Sequence, residues 1–253
     1  MRPLPTTQVY DGWRFDSFAE GTAALRDLAQ SGLAPTVLRL SDENETAVNL
    51  ARPEEVGGES SGGALMITGF EGDADTVATR RAQVTDRLAS LGGTPLGEET
   101  GAAWAAGRFG APYLRDSLLD VGVLVETLET ATFWSNLPRL HAAVTAAVTG
   151  ALADDAPLVL SHVSHVYATG ASLYFTVAAR ERDDVLAQWA GAKTAASDAI
   201  RAAGATITHH HAVGRDHLPW LADEIGPVGV EVLRAVKARL DPQGVLNPGV
   251  LVP

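Results

Sequence analysis

Residues 207–217 read "ITHHHAVGRDH" and set His209, His210 and His211 in succession, with His217 close behind; four of the chain's seven histidines fall in this stretch. Imidazole changes charge nearest to neutral pH, so it serves as general base, hydrogen-bond partner or metal ligand. The run closes a β-branched, apolar segment and is expected to form a short strand. Side chains along a strand alternate between faces. His209 and His211 should then share one face and His210 should take the other. Two imidazoles on one face leave a protein zinc site short of a third ligand. Two readings stay open from spacing alone. One is a polar strand end or a weak surface metal site. The other is an active site in which one imidazole is the base and the others donate hydrogen bonds. Gly214 would let the chain turn sharply just after the run.

Other residues could join such a site. Arg39 interrupts the apolar strand "TVLRLSD", and a charge there should be paired or face a cavity. Arg115, in "APYLRDSLLDVG", reads either as an exposed helix arginine paired with Asp116 or Asp120, or as a bidentate clamp for a carboxylate or phosphate. Tyr174, in "ASLYFTV", is a core aromatic by period, yet its hydroxyl could reach a site. His162 and His165 are three apart and should face opposite sides of a strand. Glu126 and Glu129 share that odd spacing, which argues against an acid pair. No GxSxG, HExxH or Gly-rich phosphate loop is present.

The elements that must position these residues follow from pattern. Strand-like runs at "TQVYDGWRF", "TVLRL", "ALMITGFEG" and "VLVETLET" alternate with helical segments that carry capping residues and terminal glycines. "EETGAAWAAGRFGAPYLRDSLLDVG" reads as a helix followed by an irregular crossing segment. "PLVLSHVSHVY" and "ASLYFTVAAR" flank an "ATG" turn as a hairpin. "ARPEEVGGESSGG" reads as a loop. One helix and a Pro/Gly-rich coil end the chain. The expected fold is α+β: a mainly antiparallel, ferredoxin-like sheet with helices on one face, plus a C-terminal helix and tail. A formal charge of −12 argues against nucleic acid and anionic membranes. The absence of cysteine excludes thiolate chemistry. With no apolar run long enough to span a bilayer and no signal-like start, a cytoplasmic location is expected.

The ordered set "YLRDSLLDVGVLVETLETATFW", "HVSHVYATGASLYFT", "THHHAVG" and "LDPQGVLNPG" resembles the C-terminal part of FAD-linked oxidases of the vanillyl-alcohol oxidase superfamily. Within it, the three-histidine run is most similar to the alkyldihydroxyacetonephosphate synthase branch and its bacterial relatives. The opening "LPTTQVYDGWRFDSFAEG" resembles the same family, so the likeness covers nearly the whole chain.

That resemblance implies a substrate-binding cap over residues 1–225 and, over 226–253, a helix and tail that would pack on an FAD-binding domain supplied in cis or in trans. FAD would be held mainly by that domain. Arg115 and Arg39 match arginines beside the pocket, Arg115 also facing the flavin. Tyr174 matches a tyrosine that reaches the substrate. His209, His210 and His211 match the catalytic histidine run, with His210 and His211 beside the flavin, and Asn247 lies in the tail that approaches the cofactor. A small anionic substrate, an FAD-dependent oxidoreductase or alkylglycerone-phosphate synthase-like activity, and a homo-oligomer fit this picture, with no resident metal. The 2-hydroxy-acid dehydrogenase branch is a less similar alternative. There, His165 would match the first histidine of a metal-binding pair, but Ser172 stands at the second position and His210 at a glutamate position. A non-catalytic binding or assembly module derived from the cap is the remaining alternative.

Overall fold

The computed structural model describes residues 4–50 and 62–252. In chain order the elements are β1 (Thr7–Phe15), α1 (Phe18–Ser31), β2 (Val37–Ser41), α2 (Glu43–Leu50), β3 (Ala64–Gly72), α3 (Ala74–Ser90), β4 (Thr94–Leu96), α4 (Gly97–Gly107), α5 (Ala111–Leu119), β5 (Val123–Phe133), α6 (Leu137–Ala151), β6 (Leu158–Val166), β7 (Gly170–Arg180), α7 (Val185–Ala202) and α8 (Leu218–Leu240). The strands form one seven-stranded sheet in the order β4-β1-β3-β2-β6-β7-β5. Each neighbouring pair is antiparallel. The α+β class expected from the pattern is therefore the class observed. The loop expected at "ARPEEVGGESSGG" lies almost wholly at residues 51–61, outside the described residues.

Period-two alternation decides which sheet face is dry. In β7, Leu173, Phe175, Val177 and Ala179 are buried, while Tyr174 and Thr176 point the other way and stay partly open. The buried set packs with Phe15, Leu25, Leu28, Leu40, Leu128 and Leu140 in one core beneath α1, α3, α6 and α7. These helices start and stop where their side chains dictate. Ser17 accepts from the Glu20 amide at 3.2 Å to begin α1, and Gly32 ends it in the left-handed region at φ 77°.

The second face is not bare. Residues expected as a helix and an irregular crossing form two helices, α4 and α5, and α4 lies across β1 on the side away from the core. The approach is close because Gly101 of α4 meets the Tyr10 backbone: a Cβ there would sit 2.3 Å from the Tyr10 carbonyl. Any larger residue would lift α4 off the sheet.

Two local departures shape the site. First, β6 carries a register shift between Val163 and Val166. This bulge re-aims Ser164 and His165, so the expected simple alternation from His162 to His165 fails. Second, the histidine run is not a strand. Only Thr206 and His209 donate amides to the edge strand β5, to Ala131 O and Glu129 O at 3.1 Å each. The chain then turns, with His210 at φ 59° and Ala212 at φ 62°. The expected split of the three histidines across two strand faces is thereby corrected: positive φ breaks the extended path that alternation needs.

The boundary expected between residues 225 and 226 falls inside α8, at a kink where Gly226 adopts φ 72°, ψ 170° ahead of Pro227. Beyond it, Val228, Val232, Val236 and Leu240 are exposed at a spacing of four. Among the described residues no helix is long and apolar enough to cross a membrane.

Candidate functional site

The sheet face opposite the core, roofed by α2, α4 and α5, encloses a cavity of about 1020 Å³. Its walls include Arg39, Trp104, Arg108, Arg115, His162 and Tyr174. Register explains the grouping. Ser41 in β2 pairs with His162 in β6, and His162 pairs with Tyr174 in β7, so adjacent strands present these side chains on one face.

Arg39 is charge-paired and also faces a cavity. Its guanidinium meets Glu45 Oε1 at 3.0 Å, and His162 Nδ1 lies 3.0 Å from the same oxygen. Glu45 is placed by the first turn of α2, where its amide donates to Asp42 Oδ1 at 2.8 Å. Burial alone would raise the Glu45 pKa. The His162 hydrogen bond and the Arg39 charge overcome that and hold it at about 2. Burial also pushes His162 below its usual value, against the pull of Glu45, so the buried group is a carboxylate beside a neutral imidazole.

Arg115 sits on α5 and turns inward to β5. Its Nε donates to Val125 O at 3.1 Å and its NH2 to Glu126 Oε1 at 2.8 Å. Asp116, the partner expected for an exposed helix arginine, is 3.9 Å away. Arg108 is different: its guanidinium lies 4.8–5.6 Å from the rings of Phe109, Tyr10 and Trp104 and donates to Tyr10 OH at 3.2 Å.

The histidine run lies next to this cavity and touches it through Tyr174. The His211 ring meets the Tyr174 ring edge-on at 5.2 Å, and His162 stacks on Tyr174 at 5.0 Å and 16°. Glu129 is the hub beneath the run and is 3% exposed. Ser164 Oγ donates to its Oε1 at 2.5 Å. His209 Nδ1 is 3.2 Å from Oε1 without hydrogen-bond alignment, and His211 Nε2 is 3.7 Å from Oε2. Burial pushes Glu129 up, and the donated hydrogen bonds of Ser164 and Ser172, with His209, bring its pKa below the usual value. Burial also lowers the pKa of His209, whose Nε2 is hydrogen-bonded to Tyr167 OH at 3.0 Å. Glu224 of α8 anchors the segment that leads into the run, accepting from the Ile207 amide at 2.7 Å and Thr206 Oγ1 at 2.5 Å. His217 is structural: it is buried and its Nδ1 donates to Ala212 O at 3.0 Å.

Glu129, His165, His209 and His210 bring one potential ligand atom each within 4.8 Å, a set that could hold a divalent cation. Glu129 Oε1 also accepts from Ser164, which leaves its second lone pair and Oε2 free to accept further partners. Plasma mass spectrometry of protein purified in metal-replete buffer tests the expectation of no resident metal, and a zinc or manganese ion in unit ratio would overturn it.

The structure brings Arg39, Arg115 and Tyr174 into one cavity wall and puts His211 against Tyr174. His209 is tied up behind, and His210 faces His165 with ring centroids 4.3 Å apart. Asn247 is exposed in the tail at φ 44°. That tail folds back on the loop after the run, where Leu251 N donates to Gly214 O at 3.1 Å and Arg215 to Pro248 O at 2.9 Å. Sequence reasoning missed Glu45, Arg108, Glu129 as hub, and Glu224. Of these, only Glu129 carried a signal: with Glu126 it is one of two acids within the β-branched run "VLVETLET".

The fold and motifs agree with comparisons to known proteins. Residues 4–251 match the family model described as FAD linked oxidases, C-terminal domain. The chain is 30% identical to alkyldihydroxyacetonephosphate synthase of Dictyostelium discoideum, over 100% of this chain and 45% of that protein. It is 27% identical to the Trypanosoma brucei brucei synthase, over 99% of this chain and 44% of that protein. A solved alkyldihydroxyacetonephosphate synthase superposes with TM-score 0.77 at 28% identity, covering 98% of this chain and 45% of that one. A solved p-cresol methylhydroxylase shares the fold at TM-score 0.65 and 14% identity, covering 98% of this chain and 53% of that one. The chain thus spans about half the length of the relatives it matches. With the model matched from Leu4 to Leu251, the chain belongs to the FAD-linked oxidase C-terminal domain family.

Proposed function

We propose that this chain is the substrate-cap portion of an FAD-dependent oxidoreductase resembling alkyldihydroxyacetonephosphate synthase, and that it works against an FAD-binding domain. The observation that carries the reading is the cavity itself, where arginines and Tyr174 from distant segments meet beside a histidine run. A protein of net charge −12 that handles an anion must gather positive charge locally. Arg39, Arg108 and Arg115 bring guanidinium groups into the cavity wall, Arg39 paired with Glu45 and Arg115 with Glu126.

The residues fit a flavin site on its substrate side. Arg39, Arg108, Arg115 and Tyr174 line the cavity, a donor set that suits a phosphate, carboxylate or hydroxyl-bearing ligand. The 253 residues contain no Gly-rich pyrophosphate loop, so Arg115, His210, His211 and Asn247 would contribute contacts and the other domain the main hold. FAD, when bound, supplies a two-electron acceptor. Arg115 and Arg39 hold a phosphate or carboxylate by charge-assisted hydrogen bonds. Tyr174 offers a hydroxyl, and His211 at its ring edge is placed to exchange a proton with it or with substrate. The exposed stripe of Val228, Val232, Val236 and Leu240 past the Gly226 kink suits packing of residues 226–253 on the flavin-binding domain.

Purified alone, the chain is expected to be colourless and free of stoichiometric FAD. Co-expressed with a flavin-binding domain encoded in frame or beside it, the chain should co-purify as a yellow complex. Dihydroxyacetone phosphate or D-lactate should then perturb the flavin spectrum. Stoichiometric FAD on the chain alone would overturn the division of labour. Failure to associate with any such domain would favour a binding module derived from the cap.

A further inference from the structure

Among the seven histidines, His162 is the one that lines the cavity, and the sequence reading assigned it no role. Its surroundings define its chemistry. Arg39 on β2 fixes Glu45 of α2 at 3.0 Å, and Glu45 Oε1 faces His162 Nδ1 at 3.0 Å. An ionised carboxylate only accepts, so Nδ1 must carry the proton that it donates. The tautomer is thereby set, and Nε2 carries the lone pair. Nε2 makes no hydrogen bond among the described residues and is not among the buried, unpartnered atoms, so it is reachable from the cavity that His162 lines. On the other side the ring is held flat against Tyr174 at 5.0 Å. The arrangement is a carboxylate that orients an imidazole whose second nitrogen faces the ligand space, the logic by which a general base is aimed.

We propose that His162 Nε2 is a proton acceptor of this cavity, aimed by the Arg39–Glu45 pair. This rests on the functional reading above and adds a base to it. In the step, an X–H bond of the substrate breaks and an N–H bond forms at Nε2. The electron pair stays on the substrate atom, near Arg39 and Arg115. The new imidazolium is balanced by the Glu45 carboxylate. The charged and titratable groups that face His162 are Arg39 from β2, Glu45 from α2, Glu129 from β5 and Tyr174 from β7. Burial and Arg39 keep the ring neutral and available, while the two carboxylates oppose them.

The test has two arms. Nitrogen-15 NMR of histidine-labelled chain needs no substrate. It should show His162 protonated at Nδ1 and bare at Nε2 at pH 7. A His162 protonated at Nε2 would overturn the proposal outright. In the complex with its flavin-binding domain, flavin turnover with dihydroxyacetone phosphate or D-lactate forms the second arm. His162→Asn keeps a donor toward Glu45 and removes the base. It should lower turnover about a hundredfold or more, with substrate affinity within about threefold. Glu45→Gln removes the charge that favours imidazolium, so the acid limb of the pH–rate profile should move to lower pH. A packing role alone would not move that limb. Turnover of His162→Asn within about threefold of the parent, or an unmoved limb in Glu45→Gln, refutes the assignment. A parent complex whose flavin responds to neither probe overturns the flavoenzyme reading instead, and the tautomer then decides His162 by itself.

Discussion

His211→Ala, made in the flavin-containing complex, should reduce turnover by about a hundredfold or more while changing substrate affinity little, the range expected for loss of a positioned acid–base group. His210→Ala should reduce it less. The difference follows from placement. His211 touches Tyr174, whose ring lines the cavity, whereas His210 is turned by its positive φ toward His165. His209→Ala should act mainly on stability, because its Nε2 is held by Tyr167 and its Nδ1 lies over the buried Glu129 carboxylate. Stopped-flow flavin absorbance separates these cases. Equal losses from His210→Ala and His211→Ala would show that the run acts as one unit and that the contact with Tyr174 does not select among its members.

The largest effect on stability is expected from Glu45→Ala. It leaves Arg39 and His162 facing an empty carboxylate position in a buried wall, and breaking such a pair costs about 3–5 kcal/mol. At about 2–4 °C per kcal/mol for a chain of this size, Tm should fall by roughly 10 °C. Glu45→Gln should cost less, since the amide oxygen still accepts from His162. Linkage gives a second signature. The Glu45 pKa is held at about 2 against 4.5 for the free group, so its contribution is complete above 4.5 and is lost as pH falls toward 2. His162, His209 and His217 all have folded values below the ordinary 6.5. The unfolded chain therefore binds their protons first on acidification, and their contribution, complete above about 6.5, is lost below it. Tm measured from pH 8 to pH 3 should fall in two stages, one below about 6.5 and one below about 4.5. A Tm that is flat between pH 7 and pH 5 would contradict the neutral state assigned to these histidines.

Local pattern alone determined much of this protein. Alternation in "ASLYFTVAAR" puts Leu173 and Phe175 in the core and Tyr174 on the other face, because the side-chain period of a strand is two whatever lies around it. Ser17 and Gly32 bound α1 for reasons contained within a turn of chain. The apolar neighbours of Arg39 already demanded a partner or a cavity, and the structure supplies both. Tertiary structure decided the rest. Periodicity placed His162 and His165 on opposite faces, but the bulge in β6 is set by pairing with β7 and turns His165 toward Glu129. Glu129 and the histidine run lie about eighty residues apart in the chain and meet because His209 docks on the edge of β5. Glu45 becomes the partner of His162 only when β2 and β6 lie side by side. Periodicity reports which way a side chain points from its own backbone. Which charge it meets there depends on strand order, and strand order is chosen by the burial of the whole core.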